Sequence, residues 1–377
     1  MSVKKISPSA SSSSFRKQQS AQPSQTDSHS SPDISASDLR FQNSSVIVQS
    51  LLLPFVPYIM KAAFLDFATV GADELDISPL QDLTDTLEVY DNTADEDIES
   101  RIVDVDCVYI NKIRITRDII QRTPGLRFIG LVATGTDNVD LQAAKEHDVA
   151  VCNIRAYCTN SVVEHVFSML LALSHSLGLY HRSVRRGEWA NAVNFCMLGY
   201  PIRELSGKRM GIVGYGELGK GVGRIADAFG MNVIVSRRPG SNSDDSGRIH
   251  FEEVLRTCDV VSLHCPLNAD TIELIGKAEL EQMKNSAILI NTARGGLVDS
   301  AALVDALGNG TIAAAGIDVL SNEPPVKGDP LLEYEGDNLV ITPHIAWATV
   351  EARQNAINEV AANMAAYLNG EKRNRVV

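Results

Sequence analysis

A chain of 377 residues, 44% hydrophobic and 21% charged, carries more apolar material than one core uses, since single cores stop growing at roughly 250–300 residues. Its formal net charge of −13 argues against nucleic acid or an anionic membrane as a partner. The six cysteines (Cys107, Cys152, Cys158, Cys196, Cys258 and Cys265) form no C-x-x-C pair, so reduced thiols, a cytoplasmic setting and no metal site are expected.

The chain opens on a stretch unlike the rest. Residues 7–45 are rich in Ser, Gln, Pro and Asp without apolar periodicity, a composition expected to be disordered. The apolar run 46–59 is broken by Pro54 and Pro57 and falls short of the roughly 20 residues that span a bilayer. Three readings of this leader stay open. It is an upstream extension ahead of a fold starting near Met60, a transit segment led by Lys4, Lys5, Arg16 and Lys17, or a tail that docks on a partner.

From Met60 onward, short β-branched runs alternate with amphipathic stretches. Strands are predicted at 61–67, 87–90, 107–110, 126–132 and 149–152, and the helices between them imply βαβ units and a parallel sheet. Residues 160–179 read as one long helix, apolar on more than one face, behind the caps Thr159, Asn160 and Ser161. Such a helix lies between domains or subunits, or in an ordinary core. Trp189, Phe195 and Tyr200 beyond it offer interface material. A second series has strands predicted at 209–213, 231–235, 259–263, 287–291, 314–318 and 338–342, which suits a doubly wound sheet. The last helix, 349–368, has no further strand to serve and is expected to return to the first domain.

The strand 209–213 runs into Gly214-Tyr215-Gly216-Glu217-Leu218-Gly219, and a helix follows. In that context the glycines allow a tight turn, a close approach of backbone to pyrophosphate, and close helix packing. The helix N-terminus adds unpaired N–H groups and partial positive charge. After the next strand an acid normally bonds a ribose 2′-hydroxyl, but here stand Ser236, Arg237 and Arg238, with no acid in the turn before Asp244. Two guanidinium groups suit a 2′-phosphate, so NADP(H) is favoured over NAD(H).

Three later segments bring one Arg, one Glu and one His to strand ends: Asn291-Thr292-Ala-Arg294, Ile317-Asp318 leading to Glu323, and Thr342-Pro-His344. Reduction of a 2-oxo acid needs these types. A planar guanidinium holds the carboxylate and polarises the carbonyl, and an imidazole supplies the proton that the nascent alkoxide takes up. A neighbouring carboxylate favours imidazolium and sets its tautomer. Singly, each could be structural: Arg294 on a carbonyl, Glu323 a solvated acid, His344 a loop histidine.

In this order these motifs resemble the D-isomer-specific 2-hydroxyacid dehydrogenases over 60–377, and within that family the hydroxypyruvate reductases (glycerate dehydrogenases), as the stretches 132–140, 151–158 and Ala346-Trp347 indicate. The resemblance implies two Rossmann-like doubly wound domains with a cleft between them. Residues 60–158 with 346–377 would form the substrate domain and 159–345 the dinucleotide domain. It also implies that Arg294 binds substrate, His344 is the acid/base, Glu323 is its partner, and Thr134 and Gly135 offer N–H groups to the substrate carboxylate. Asp318 would face the nicotinamide carboxamide, Thr292 and Pro266 would line the cofactor cleft, and a homodimer would form on the helix from Asn160. Two departures stand out: Asn160 where many relatives have Pro, and the Ser-Arg-Arg turn in place of the acid. Within the family, Glu323 argues against a formate dehydrogenase, which pairs the histidine with Gln. A phosphoglycerate dehydrogenase and a nucleotide-sensing corepressor are the competing expectations.

Overall fold

The computed structural model describes residues 60–71, 74–238 and 247–377; the leader, the run 46–59 and Asp244 lie outside them. Two parallel sheets organise the chain. The first contains β1 (Lys61–Phe64), β2 (Thr86–Val89), β3 (Cys107–Ile110), β4 (Phe128–Leu131) and β5 (Ala150–Cys152) in the order β2-β1-β3-β4-β5. The second contains β6 (Arg209–Val213), β7 (Asn232–Val235), β8 (Val260–Leu263), β9 (Ile288–Asn291), β10 (Ala314–Ile317) and β11 (Leu339–Ile341) in the order β11-β10-β9-β8-β6-β7. Every strand expected from the sequence is present. β3, β4, β8 and β10 are buried at every position, as strands covered on both faces must be. Strand order reverses between β1 and β3 and between β6 and β8, and ligands of open α/β sheets bind outside the carboxyl ends at such points.

Alternation along the strands divides the cores. On β1, Phe64 joins a cluster with Tyr109, Phe128, Ile357, Val360 and Met364, while Ala63 and Leu65 join Ile110, Ile129 and Leu131 on the other face. The helix Val350–Leu368, capped by Thr349, therefore covers the first sheet although the second precedes it in sequence. The chain ends there too: Arg375 bridges Cys152, and the Val376 N–H donates to the Val151 carbonyl at 2.8 Å.

The predicted helix 160–179 needs correction. The helix Thr159–Ser174 stops and Leu177–Arg185 leaves it at 60°, with Ser176 left-handed at φ 50°. A distant segment satisfies the break, because Arg203 N–H donates to the Ser174 carbonyl at 2.9 Å and Ser176 Oγ donates to the Pro201 carbonyl at 2.7 Å. Val162, Val166, Met169 and Leu170 pack with Met210, Ile212, Val260 and Ile290, so the first piece is a core helix of the second sheet. No single helix among the described residues is long and apolar enough to cross a membrane.

Candidate active site

At the β6 end Gly214 turns the chain at φ 96°, and a Cβ there would lie 2.5 Å from Cys265 N in the loop after β8. A Cβ on Gly219 would strike the Gly214 carbonyl at 2.2 Å, whereas one on Gly216 meets nothing within 4 Å. The turn is thus tightly packed underneath and open above. The helix Glu217–Ala228 starts at the open side, and its first-turn N–H groups have no intrahelical acceptor. Tyr215 and Leu218 pack against the core, so only their backbone is available at the turn. Glu217 accepts from Thr159 Oγ1, and burial pushes its carboxyl up. Nearby, Thr292 Oγ1 and His264 Nδ1 are buried with no partner. An open N–H cradle flanked by two orphaned polar atoms fits a dinucleotide.

The side chains of the Ser-Arg-Arg turn have partners within the protein. Ser236 is buried and donates from Oγ to the Arg237 carbonyl at 2.8 Å. Arg237 Nε donates to the Arg248 carbonyl at 3.1 Å, and its Nη1 lies 3.3 Å from His250 Nε2. Arg238 pairs with Asp270 at 3.6 Å, an acid from a separate loop. Pro266 is exposed, its carbonyl accepting from Thr271 Oγ1 at 2.8 Å.

Beyond β9, β10 and β11 three segments converge. Glu323 Oε2 lies 2.6 Å from His344 Nδ1, each side chain about a third exposed. Burial pushes the Glu323 carboxyl up, but hydrogen bonds from His344 and the Leu320 N–H, with the charges of His344 and Lys112, outweigh it and hold the group ionised below its ordinary value. The acceptor at Nδ1 requires that nitrogen to carry the proton, which leaves Nε2 facing outward. Arg294 follows β9, and Gly295 permits its loop to touch the Glu323 loop: a Cβ there would sit 1.9 Å from the Leu320 carbonyl carbon. From the first sheet, Gly135 approaches the same place, its Cβ position 3.5 Å from Arg294 Nη2 and 2.9 Å from Asp137 Oδ1. Backbone N–H groups of Thr134 and Gly135 have no acceptor among the described residues. The Thr134 carbonyl is anchored by Asn153 Nδ2 at 2.7 Å.

Asp318 directly follows β10. Its carboxylate is fully buried and accepts from Thr342 Oγ1 at 2.5 Å, Ile345 N–H at 2.9 Å and Ala346 N–H at 2.9 Å. A carboxylate has room for about four such bonds, and three of this one's hold the His344 loop.

Residues 167–346 match the family described as D-isomer specific 2-hydroxyacid dehydrogenase, NAD binding domain. A glycerate dehydrogenase of Methylorubrum extorquens is 43% identical over 76% of this chain and 90% of its own length. A hydroxypyruvate reductase of Blautia hydrogenotrophica is 39% identical over 84% of this chain and 99% of its own. This chain belongs to the D-isomer specific 2-hydroxyacid dehydrogenase family. Among solved structures, an acyclic imino acid reductase in complex with NADPH and D-Arg is similar with a TM-score of 0.72 and 28% identity, over 84% of this chain and 100% of that one.

Sequence reading missed several residues that build the dehydrogenase's cleft. His165 Nε2 meets Thr342 Oγ1 at 2.9 Å, and Ser161 Oγ donates to the Ala346 carbonyl at 2.6 Å, so the helix Thr159–Ser174 is a platform for the His344 loop. Asp66, buried at the β1 end, accepts N–H bonds from Asn111, Lys112 and Ile113. Lys112 faces the charges of Arg294, Glu323 and Asp137. Only the motif-like tripeptide Asn-Lys-Ile right after a strand hinted at it.

Proposed function

We propose that this dehydrogenase reduces small 2-oxo acids, hydroxypyruvate and glyoxylate foremost, to D-glycerate and glycolate, using NADPH in preference to NADH. The observation that carries the reading is the 2.6 Å contact of His344 Nδ1 with Glu323, which leaves Nε2 free of that carboxylate, while the Arg294 loop meets the loops of Glu323 and Gly135. Arg294 and those N–H groups take the substrate carboxylate, and Arg294 polarises the carbonyl. Backbone N–H groups of the 214–219 turn would hold the pyrophosphate of a nicotinamide dinucleotide, which when bound would supply the hydride for the carbonyl carbon. His344 imidazolium passes its Nε2 proton to the oxygen, so one hydride and one proton convert the 2-oxo acid to its 2-hydroxy acid. Glu323 keeps the ring oriented through the contact at Nδ1.

The named activities of the glycerate dehydrogenase and hydroxypyruvate reductase relatives support the substrate class. Arg237 and Arg238 support NADPH, with Arg238 exchanging Asp270 for the 2′-phosphate. In this reading residues 60–158 with 346–377 form the substrate unit, 159–345 form the dinucleotide unit, and the reaction lies between the two sheets. Trp189, Val193, Phe195 and Leu198, all exposed, support a homodimer built on the helix Thr159–Ser174 and the segment beyond it. Loss of reduced-nicotinamide absorbance with hydroxypyruvate or glyoxylate tests the reading; tight cofactor binding without turnover would replace it with a sensor. Replacing both arginines by Ala should raise KM for NADPH about tenfold and leave that for NADH nearly unchanged, and equal rises would reject the 2′-phosphate site.

A further inference from the structure

The loop after β3 is held with unusual care for an exposed lysine. Its three successive N–H groups converge on the buried Asp66 carboxylate, from Asn111 at 2.9 Å, Lys112 at 2.6 Å and Ile113 at 3.1 Å. Its carbonyls are clamped from the opposite side, where Asn138 Nδ2 donates to Ile113 at 2.8 Å and Asn111 at 3.3 Å. Asn138 belongs to the same turn as Thr134, Gly135 and Asp137, so the Lys112 loop and the N–H groups proposed for the carboxylate form one rigid unit. Both β1 and β3 end here, at the reversal of strand order in the first sheet.

The side chain this unit carries has a free head. Lys112 Nζ makes no hydrogen bond or ion pair among the described residues, although Arg294, Glu323, Asp137 and Asp66 act on its charge. The residue is open to solvent at its surface. The surrounding protein nonetheless desolvates the ammonium and, with Arg294 beside it, holds it below the ordinary lysine value against the opposing pull of Glu323, Asp137 and Asp66.

A 2-oxo acid has three groups on its reacting carbon. Under the proposed reading Arg294 and the 134–135 N–H groups take the carboxylate, and His344 takes the oxygen. The third substituent, C3 and whatever it bears, is left for the remaining wall of the cleft. We propose, resting on that reading, that Lys112 is a specificity-determining residue whose ammonium donates to an oxygen on C3, selecting 3-hydroxy-2-oxo acids over those with a bare methyl or hydrogen. An ammonium with no protein acceptor strongly rewards an oxygen placed before it, whereas a methyl leaves the donor unpaired.

The test compares hydroxypyruvate, pyruvate and glyoxylate in the wild-type enzyme, Lys112→Met and Lys112→Arg, each saturated with NADPH. In Lys112→Met, kcat/KM for hydroxypyruvate should fall about ten- to a hundredfold, chiefly through KM, with pyruvate and glyoxylate within about twofold of wild type. Lys112→Arg should recover part of the loss, and the unfolding midpoint should not move. Equal losses on all three substrates, or no loss on any, would overturn the assignment. A wild-type chain that binds NADPH yet reduces none of the three overturns the enzymatic reading itself, and this inference with it.

Discussion

His344 sits at φ 56°, in the left-handed region that a side chain with a β-carbon disfavours by roughly 1–2 kcal/mol. Its own N–H donates to the Asp318 carbonyl at 2.7 Å, and the next two N–H groups donate to the Asp318 carboxylate, so the strained residue is fixed by its neighbours. The ring then points where Glu323 can reach it. His344→Ala should lower kcat about 10²–10⁴-fold, the usual contribution of one positioned acid, while NADPH binding measured by fluorescence is retained. Activity close to wild type would remove His344 from the proton transfer. Glu323 is ionised through neutral pH, its carboxyl being held below the ordinary value, so the pairing is lost only as acid protonates it. kcat/KM should fall along an acid limb below the ordinary carboxylate range, and Glu323→Gln should abolish that limb. A limb that persists in the variant contradicts the pairing. Residue types at strand ends made Arg294, Glu323 and His344 legible from sequence. The anchoring role of Asp318 was not legible because its donors come from residues 342–346, which no spacing rule relates to it.

Elements that carry the site touch through glycine. The loop after β9 and the loop after β10 meet with Gly295 against the backbone of Leu320, and Leu320 N–H holds Glu323 Oε1 at 2.9 Å. A methyl at Gly295 would thrust the Arg294 loop and the Glu323 loop apart. Gly295→Ala should destabilise the fold by about 1–3 kcal/mol, seen as a lower midpoint in denaturant. The displaced groups should lose about 10²-fold in kcat/KM. A variant with wild-type stability and rate would mean that the loops repack freely. The strands themselves were readable, because β-branched runs buried on both faces leave an unambiguous signature. The break at Ser174–Leu177 was not, since the groups that satisfy it come from Pro201 and Arg203. Lys112 escaped notice for a related reason: a lone lysine after a strand looks solvated until Asp66 and Asn138 are seen to fasten its loop.

Across the whole molecule, the helix Val350–Leu368 returns to the first sheet, and the segment beyond Leu177–Arg185 carries Val193 and Phe195 almost fully exposed, at 101% and 91%. Apolar side chains so displayed suit a partner surface, here the proposed second copy. Val193→Asp with Phe195→Asp should convert a dimer to single chains in sedimentation equilibrium; a wild-type protein that sediments as one chain at micromolar concentration rejects the self-interface. The amino-acid order by itself determined the alternation of strands and helices, the glycine turn and the three chemical types at strand ends, because each is encoded within a few neighbouring residues. Only the tertiary structure decided where the helix from Thr159 breaks, what holds the His344 loop, and what fastens the loop that carries Lys112. Those depend on hydrogen bonds and packing between residues far apart in the chain, where local propensity carries no information.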